Sequence, residues 1–210
     1  MKGIRDYIFG PDQAVSTGNE FKHKIFVVGD AETGKKSFIA GFDNEYSTGP
    51  ISTLLEEVLQ KGGYPNTIGI DFVTKTKKIG DDTYKFQFYD LAGHKKFRTI
   101  TKSYYNKVTG IFVMVDATKP STLTAAKLWK ENINENFIIP NFSSSTIPII
   151  LLINKIDLLD EKQKSELNYN NFCKLYGFDS WIPISNETGE NIELAHNTMI
   201  DICKSLVNFC

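Results

Sequence analysis

The sequence predicts an α/β protein: a doubly wound, mostly parallel sheet of six strands with one antiparallel hairpin strand and helices on both faces. Three observations lead there. Apolar runs such as Ile25-Phe26-Val27-Val28 and those at residues 110–115 and 147–153 alternate with helical patterns, as in a stack of βαβ units. A glycine-bounded loop, Gly29-Asp30-Ala31-Glu32-Thr33-Gly34-Lys35-Lys36-Ser37, stands between the first run and a helix-like stretch. Three polar motifs close later strands, at the carboxyl ends where a sheet of this kind takes its ligands.

Taken in order, residues 1–20 read as an N-terminal extension to a domain spanning 21–210. A strand at about 22–28 leads through the loop into a helix at about 34–42. Ile51, Leu54, Leu55, Val58 and Leu59 recur on one helical face, and Thr53 with Glu56 forms a capping box. An inserted helix is therefore expected at about 52–62. Strands at about 70–79 and 83–89 follow, joined by Gly80-Asp81-Asp82 as a hairpin. A short helix is expected through about Tyr104, then a buried strand at 110–115 and a helix after Pro120. Next come the 147–153 strand, a single helix near 163–176 and a short strand at 181–184. A last helix follows Gly189, its face marked by Ile192, Ala195, Met199, Ile202 and Leu206.

Composition narrows the function. The 210 residues are 41% apolar, with no run near the ~18 apolar residues of a membrane span. A formal charge of −1 gives no bulk attraction to nucleic acid. Three cysteines, Cys173, Cys203 and Cys210, argue against a disulfide scaffold and for a reducing, cytoplasmic setting. The N-terminus carries neither a signal peptide nor a myristoylation pattern.

The loop has the strand–turn–helix setting that phosphate binding needs. Its backbone N–H groups curl around the phosphates, the helix N-terminus adds its positive dipole end, and Lys35 reaches the outer phosphates. Asp90-Leu91-Ala92-Gly93 follows a strand and offers a carboxylate toward a metal and an N–H toward a γ-phosphate. In Asn154-Lys155-Ile156-Asp157, the Asp157 carboxylate can accept from guanine N1–H and the 2-amino group together, a pair adenine does not have. Ser185-Asn186-Glu187-Thr188-Gly189 closes the last strand.

With these stretches, Thr67-Ile68-Gly69-Ile70-Asp71-Phe72 and the run from His94 to Thr101, the chain resembles a Rab-like small GTPase of the Ras superfamily over roughly residues 22–207. The resemblance implies a P-loop small G domain with the extra helix inserted before switch I, bound GTP or GDP, and Mg²⁺. It implies that Glu32, Thr33, Gly34, Lys35, Lys36 and Ser37 line the phosphates, with Thr67 on Mg²⁺ and the γ-phosphate. Asp90 stands behind the metal and Gly93 on the γ-phosphate. Asn154, Lys155, Asp157, Ser185, Asn186 and Glu187 surround guanine, Asn186 through its backbone N–H to O6, and Tyr46 covers the base or ribose edge. Effectors and regulators engaged through the switches, vesicle trafficking and a peripheral place on endomembranes follow from the same resemblance.

Several residues depart from the pattern. Lys36 stands where the family has a Ser or Thr that ligates Mg²⁺. An ammonium cannot coordinate a cation, and Ser37, rotated about 100° on a helix, is not a substitute. Two readings stand: Lys36 turns to solvent and the metal site is weakened, or its ammonium takes the metal's place. His94 replaces the glutamine that orients the attacking water, which implies slow hydrolysis, the alternative being an exposed loop residue. Glu32 puts a carboxylate in the loop, within i, i+4 reach of Lys36. Glu187 replaces the lysine of the Ser-Ala-Lys motif and implies lower affinity. The inserted helix needs a cover, its own domain or another protein. Cys210 without a polybasic tail is a weak lipidation signal; an unlipidated protein or a longer parent chain are the other readings. The rival class is a pseudo-GTPase scaffold that binds nucleotide without turnover.

Overall fold

The computed structural model describes residues 18–43, 70–91, 108–136 and 147–207. β1 (Glu20–Gly29) is followed by α1 (Lys35–Ala40), which tightens into a 3₁₀ turn at Gly41–Asp43. β2 (Ile70–Ile79) and β3 (Asp82–Leu91) form the hairpin; β4 (Val108–Asp116), α2 (Pro120–Asn136) and β5 (Ile149–Asn154) come next. A 3₁₀ turn at Ile156–Leu158, α3 (Glu161–Ser165), α4 (Asn170–Tyr176), β6 (Ser180–Pro183) and α5 (Ile192–Val207) complete the described elements.

The sheet runs β2-β3-β1-β4-β5-β6, with β2 antiparallel to β3 and every other pair parallel. The doubly wound prediction holds, hairpin strand included. The turn is tighter than expected: Ile79 pairs with Asp82, so only Gly80 and Asp81 make the bend.

Alternation along β1 shows how the faces are divided. Ile25 and Val27 join Phe86, Phe88, Phe112 and Met114 in one core, against Phe38 of α1 and Ala195 and Met199 of α5. Phe26 and Val28 join Ile111, Val113 and Val115 in the other, against Ala126, Trp129 and Ile133 of α2 and Cys173 of α4. Side chains two apart share a face, so a strand buried on both sides reads as an unbroken apolar run. β5 is buried at all six positions.

Two expectations are corrected. The single helix at 163–176 is two, α3 and α4. Asn168 Oδ1 accepts the N–H of Asn170 at 3.1 Å, a local turn that competes with a continuous helix. α3 itself starts at a capping box, Asp160 and Gln163 each bonding the other's backbone N–H. On α5, Ile192, Ala195 and Met199 are buried as expected, but Ile200 and Cys203 are buried too while Ile202 is only partly covered. The α5 stripe is therefore wider than the sequence pattern implied. The expected helices at 52–62 and before Tyr104 lie outside the described residues.

Candidate nucleotide site

β1 lies between β3 and β4, and the loop after it opens at the carboxyl edge of the sheet, beside the ends of β4 and β5. Asp116 and Asn154, the last residues of β4 and β5, are register partners. Two glycines make the loop possible. Gly29 has φ 147°, and a Cβ there would stand 2.3 Å from the Met114 carbonyl oxygen. Gly34 has φ 99°, and its Cβ would fall 2.3 Å from Asn154 Nδ2 and 2.6 Å from Asn186 Nδ2. Glu32 is left-handed as well, φ 65°, a conformation costly to a side chain.

Lys35 is buried, with Nζ donating to the carbonyls of Gly29 (3.1 Å) and Asp30 (2.8 Å). Burial depresses its pKa, while the charges of Asp90 and Asp30 pull it back up and Lys36 opposes them. Thr33 is buried, and its hydroxyl donates to the Asp30 carbonyl at 3.0 Å, closing the loop on itself. Lys36 and Ser37 are half-buried on α1. Glu32 forms an ion pair with Lys119 of the β4–α2 loop at 3.3 Å.

The motifs expected to read the base arrive at the same loop. Asn154 Nδ2 donates to the Thr33 carbonyl at 2.7 Å, and Asn186 Nδ2 to the Gly34 carbonyl at 2.8 Å. The backbone N–H of Asn186, expected to face guanine O6, donates here to Asn154 Oδ1 at 3.2 Å. Asp157 Oδ1 accepts the Ser185 hydroxyl at 2.6 Å, which holds the carboxylate in one orientation. Glu187 is exposed. Sequence residues 33, 34, 154, 157, 185 and 186 thus meet in one bonded cluster.

Three functional neighbours were not singled out from the sequence: Asp116, Thr118 and Lys119. Asp116 is buried and accepts from Lys155 Nζ at 2.7 Å, from Thr118 N–H at 2.9 Å and from the Thr118 hydroxyl at 2.6 Å. Burial alone raises the Asp116 pKa, but the Lys155 and Thr118 bonds outweigh it and hold it below the ordinary value. The signal was available: an acidic residue ending an apolar strand run, followed two residues on by a threonine.

Asp90 is buried at the end of β3, close enough for its charge to act on Lys35. Among the described residues there is no cluster of three His, Cys, Asp or Glu side chains. The residue beside Lys35 brings an ammonium. Thr67, Tyr46, Gly93 and His94 lie outside the described residues.

Strand order, loop and base-reading cluster define a P-loop α/β protein with its ligand cleft at the carboxyl edge of the sheet. The Ras family profile matches residues 24–205, and the chain belongs to that family, as a Rab-like small GTPase. It is 32% identical over 190 residues to the human Ras-related protein Rab-32, covering 90% of this chain and 77% of that one. It is 33% identical over 186 residues to Rab-32A of Dictyostelium discoideum, covering 87% and 78%. Ras-related protein Rab-1 of Theileria annulata is 34% identical over 197 residues, covering 90% and 77%. Members of the family bind GTP and GDP with Mg²⁺, hydrolyse GTP, and engage effectors and regulators through their switch regions. No helix among the described residues is long and apolar enough to cross a membrane.

Proposed function

We propose that this protein is a guanine-nucleotide switch of vesicle traffic that hydrolyses GTP slowly and leans little on Mg²⁺. It acts from the cytoplasm or the surface of endomembranes through effector and regulatory proteins. The observation that carries the reading is the convergence of Asn154 and Asn186 on the carbonyls of Thr33 and Gly34, which joins the phosphate loop to the base-reading turns. In this reading Lys35 exchanges its two carbonyl partners for the outer phosphates, and Asp157 pairs with guanine N1–H and the 2-amino group. Asp116 anchors the Lys155 ammonium so that its stem forms one wall of the base pocket. Thr67 and Asp90 serve the metal, Gly93 and His94 the γ-phosphate and its water, and Tyr46 the base edge. Residues 1–20 form an extension to the domain, and the helix at 52–62 lengthens the segment before switch I and offers a further contact surface.

Lys36, His94 and Glu187 support a second reading, a pseudo-GTPase that holds nucleotide without turnover. Single-turnover hydrolysis of bound GTP separates the two. Slow but measurable phosphate release, raised by His94→Gln, is expected. No release from either protein overturns the enzymatic reading, and a rate matching that of an ordinary Rab overturns the slowness.

A further inference from the structure

The geometry points to Asn186 as a positioning residue whose side chain aims the phosphate loop, so that it governs how well the site holds a second phosphate. The inference rests on the nucleotide reading above. Asn186 is 9% exposed, and its Nδ2 donates to the carbonyl oxygen of Gly34. That oxygen also accepts the Phe38 N–H, the bond that opens α1, at 3.0 Å. The preceding carbonyl, of Thr33, is taken by Asn154. Two consecutive peptide units of the loop are therefore each gripped by an amide from a different strand end.

Peptide planarity turns that grip into direction. A trans peptide points its N–H opposite to its C=O, and there is no cis bond among the described residues. Holding the Thr33 carbonyl aims the N–H of Gly34; holding the Gly34 carbonyl aims the N–H of Lys35. Both carbonyls face the base-reading turns, so both N–H groups face away from them, across the loop. Asn154 sets the first N–H and Asn186 sets the second, next to the lysine that reaches the outer phosphates. A residue filling space alone would do better as alanine, because Asn186 Oδ1 is buried with no hydrogen-bond partner among the described residues, and such an acceptor is destabilising.

The test compares GDP and GMP, which share base, ribose and first phosphate. Affinities are measured by displacement of a fluorescent guanine nucleotide from wild type, Asn186→Ala and Asn186→Asp. One lost neutral hydrogen bond predicts that Asn186→Ala weakens GDP by roughly three- to tenfold and barely changes GMP. Asn186→Asp, which sets an oxygen against the Gly34 carbonyl, is expected to weaken GDP further. The melting temperature of nucleotide-free Asn186→Ala stays level or rises, since the orphaned acceptor is gone. Equal losses for both nucleotides mean that the side chain serves the base, and unchanged affinities for both mean that it serves neither; each overturns the inference. Failure of wild-type protein to bind either nucleotide overturns the nucleotide reading, and this inference with it.

Discussion

His196 shows how one side chain can carry a pH dependence unrelated to the site. It lies on α5 among the rings of Phe38 (4.5 Å between centroids), Phe42 (4.7 Å) and Phe88 (6.3 Å). Burial drives its pKa down to about 3, and the charges of Lys77 and Lys75 act in the same direction against a bond that the imidazole donates to the Phe38 backbone. His23, stacked against both Tyr84 and Phe86, is also lowered by burial. A neutral buried imidazole is protonated in the unfolded chain first. Its contribution is therefore complete above pH ~6.5 and is lost as pH falls toward about 3. Between pH 7 and pH 5, the His196 term alone removes about 2 kcal/mol of stability. Denaturant unfolding at several pH values is expected to show this slope, and His196→Phe should flatten it. A slope identical in the variant would rule His196 out as its source.

At the scale of elements, helices differ in what holds them. α1 has six residues, α3 five, and no residue of α3 is buried; these exist through caps and neighbours rather than length. α2 has 17 residues and buries Ala126, Trp129 and Ile133 under the sheet. Trp129→Ala should cost about 3–5 kcal/mol by leaving a cavity there, read as a fall in the denaturation midpoint with little change in slope. A loss below about 1 kcal/mol would mean that the face repacks freely.

The same difference decides what was legible in sequence. Strands buried on both faces, such as β5, announce themselves, and the exposed edge strand β2 also starts and ends where its pattern says, at Ile70 and Ile79. The break between α3 and α4 does not, because it depends on one Asn168 turn inside an otherwise helical composition. At the site, residue types with specific chemistry (Lys35, Asn154, Asp157) were legible from motif and spacing. The Asp116–Lys155 and Glu32–Lys119 pairs were not, since they join positions 39 and 87 residues apart and depend on the register of β4 with β5 and on the left-handed turn at Glu32. The Asn186 bond to Gly34 spans 152 residues and is invisible to any local pattern.

In G domains of this family the phosphate loop is coupled to the switch segments, and the metal is the usual link between them. In this protein the carboxyl-edge loops of β1, β4 and β5 are bonded together by Asn154, Asn186 and Asp116. In such a fold a divalent cation lends charge to the phosphates and ties them to the segment around Thr67. Lys36 replaces the hydroxyl that would meet that cation with a positive charge, half-buried and one residue beyond Lys35. If Lys36 turns toward the phosphates, as the proposed function has it, two ammonium groups there supply part of the charge that Mg²⁺ would bring, at the expense of its ligand geometry. Nucleotide retention should then depend on protein charge more than on metal. Release of bound GDP is expected to be nearly as slow in EDTA as in Mg²⁺, and Lys36→Thr should restore a marked acceleration by EDTA. Stopped-flow or filter measurements with a fluorescent GDP decide it, run beside an ordinary Rab. If EDTA speeds release from the unaltered protein as strongly as from that control, the metal site is intact and Lys36 contributes nothing to holding the phosphates.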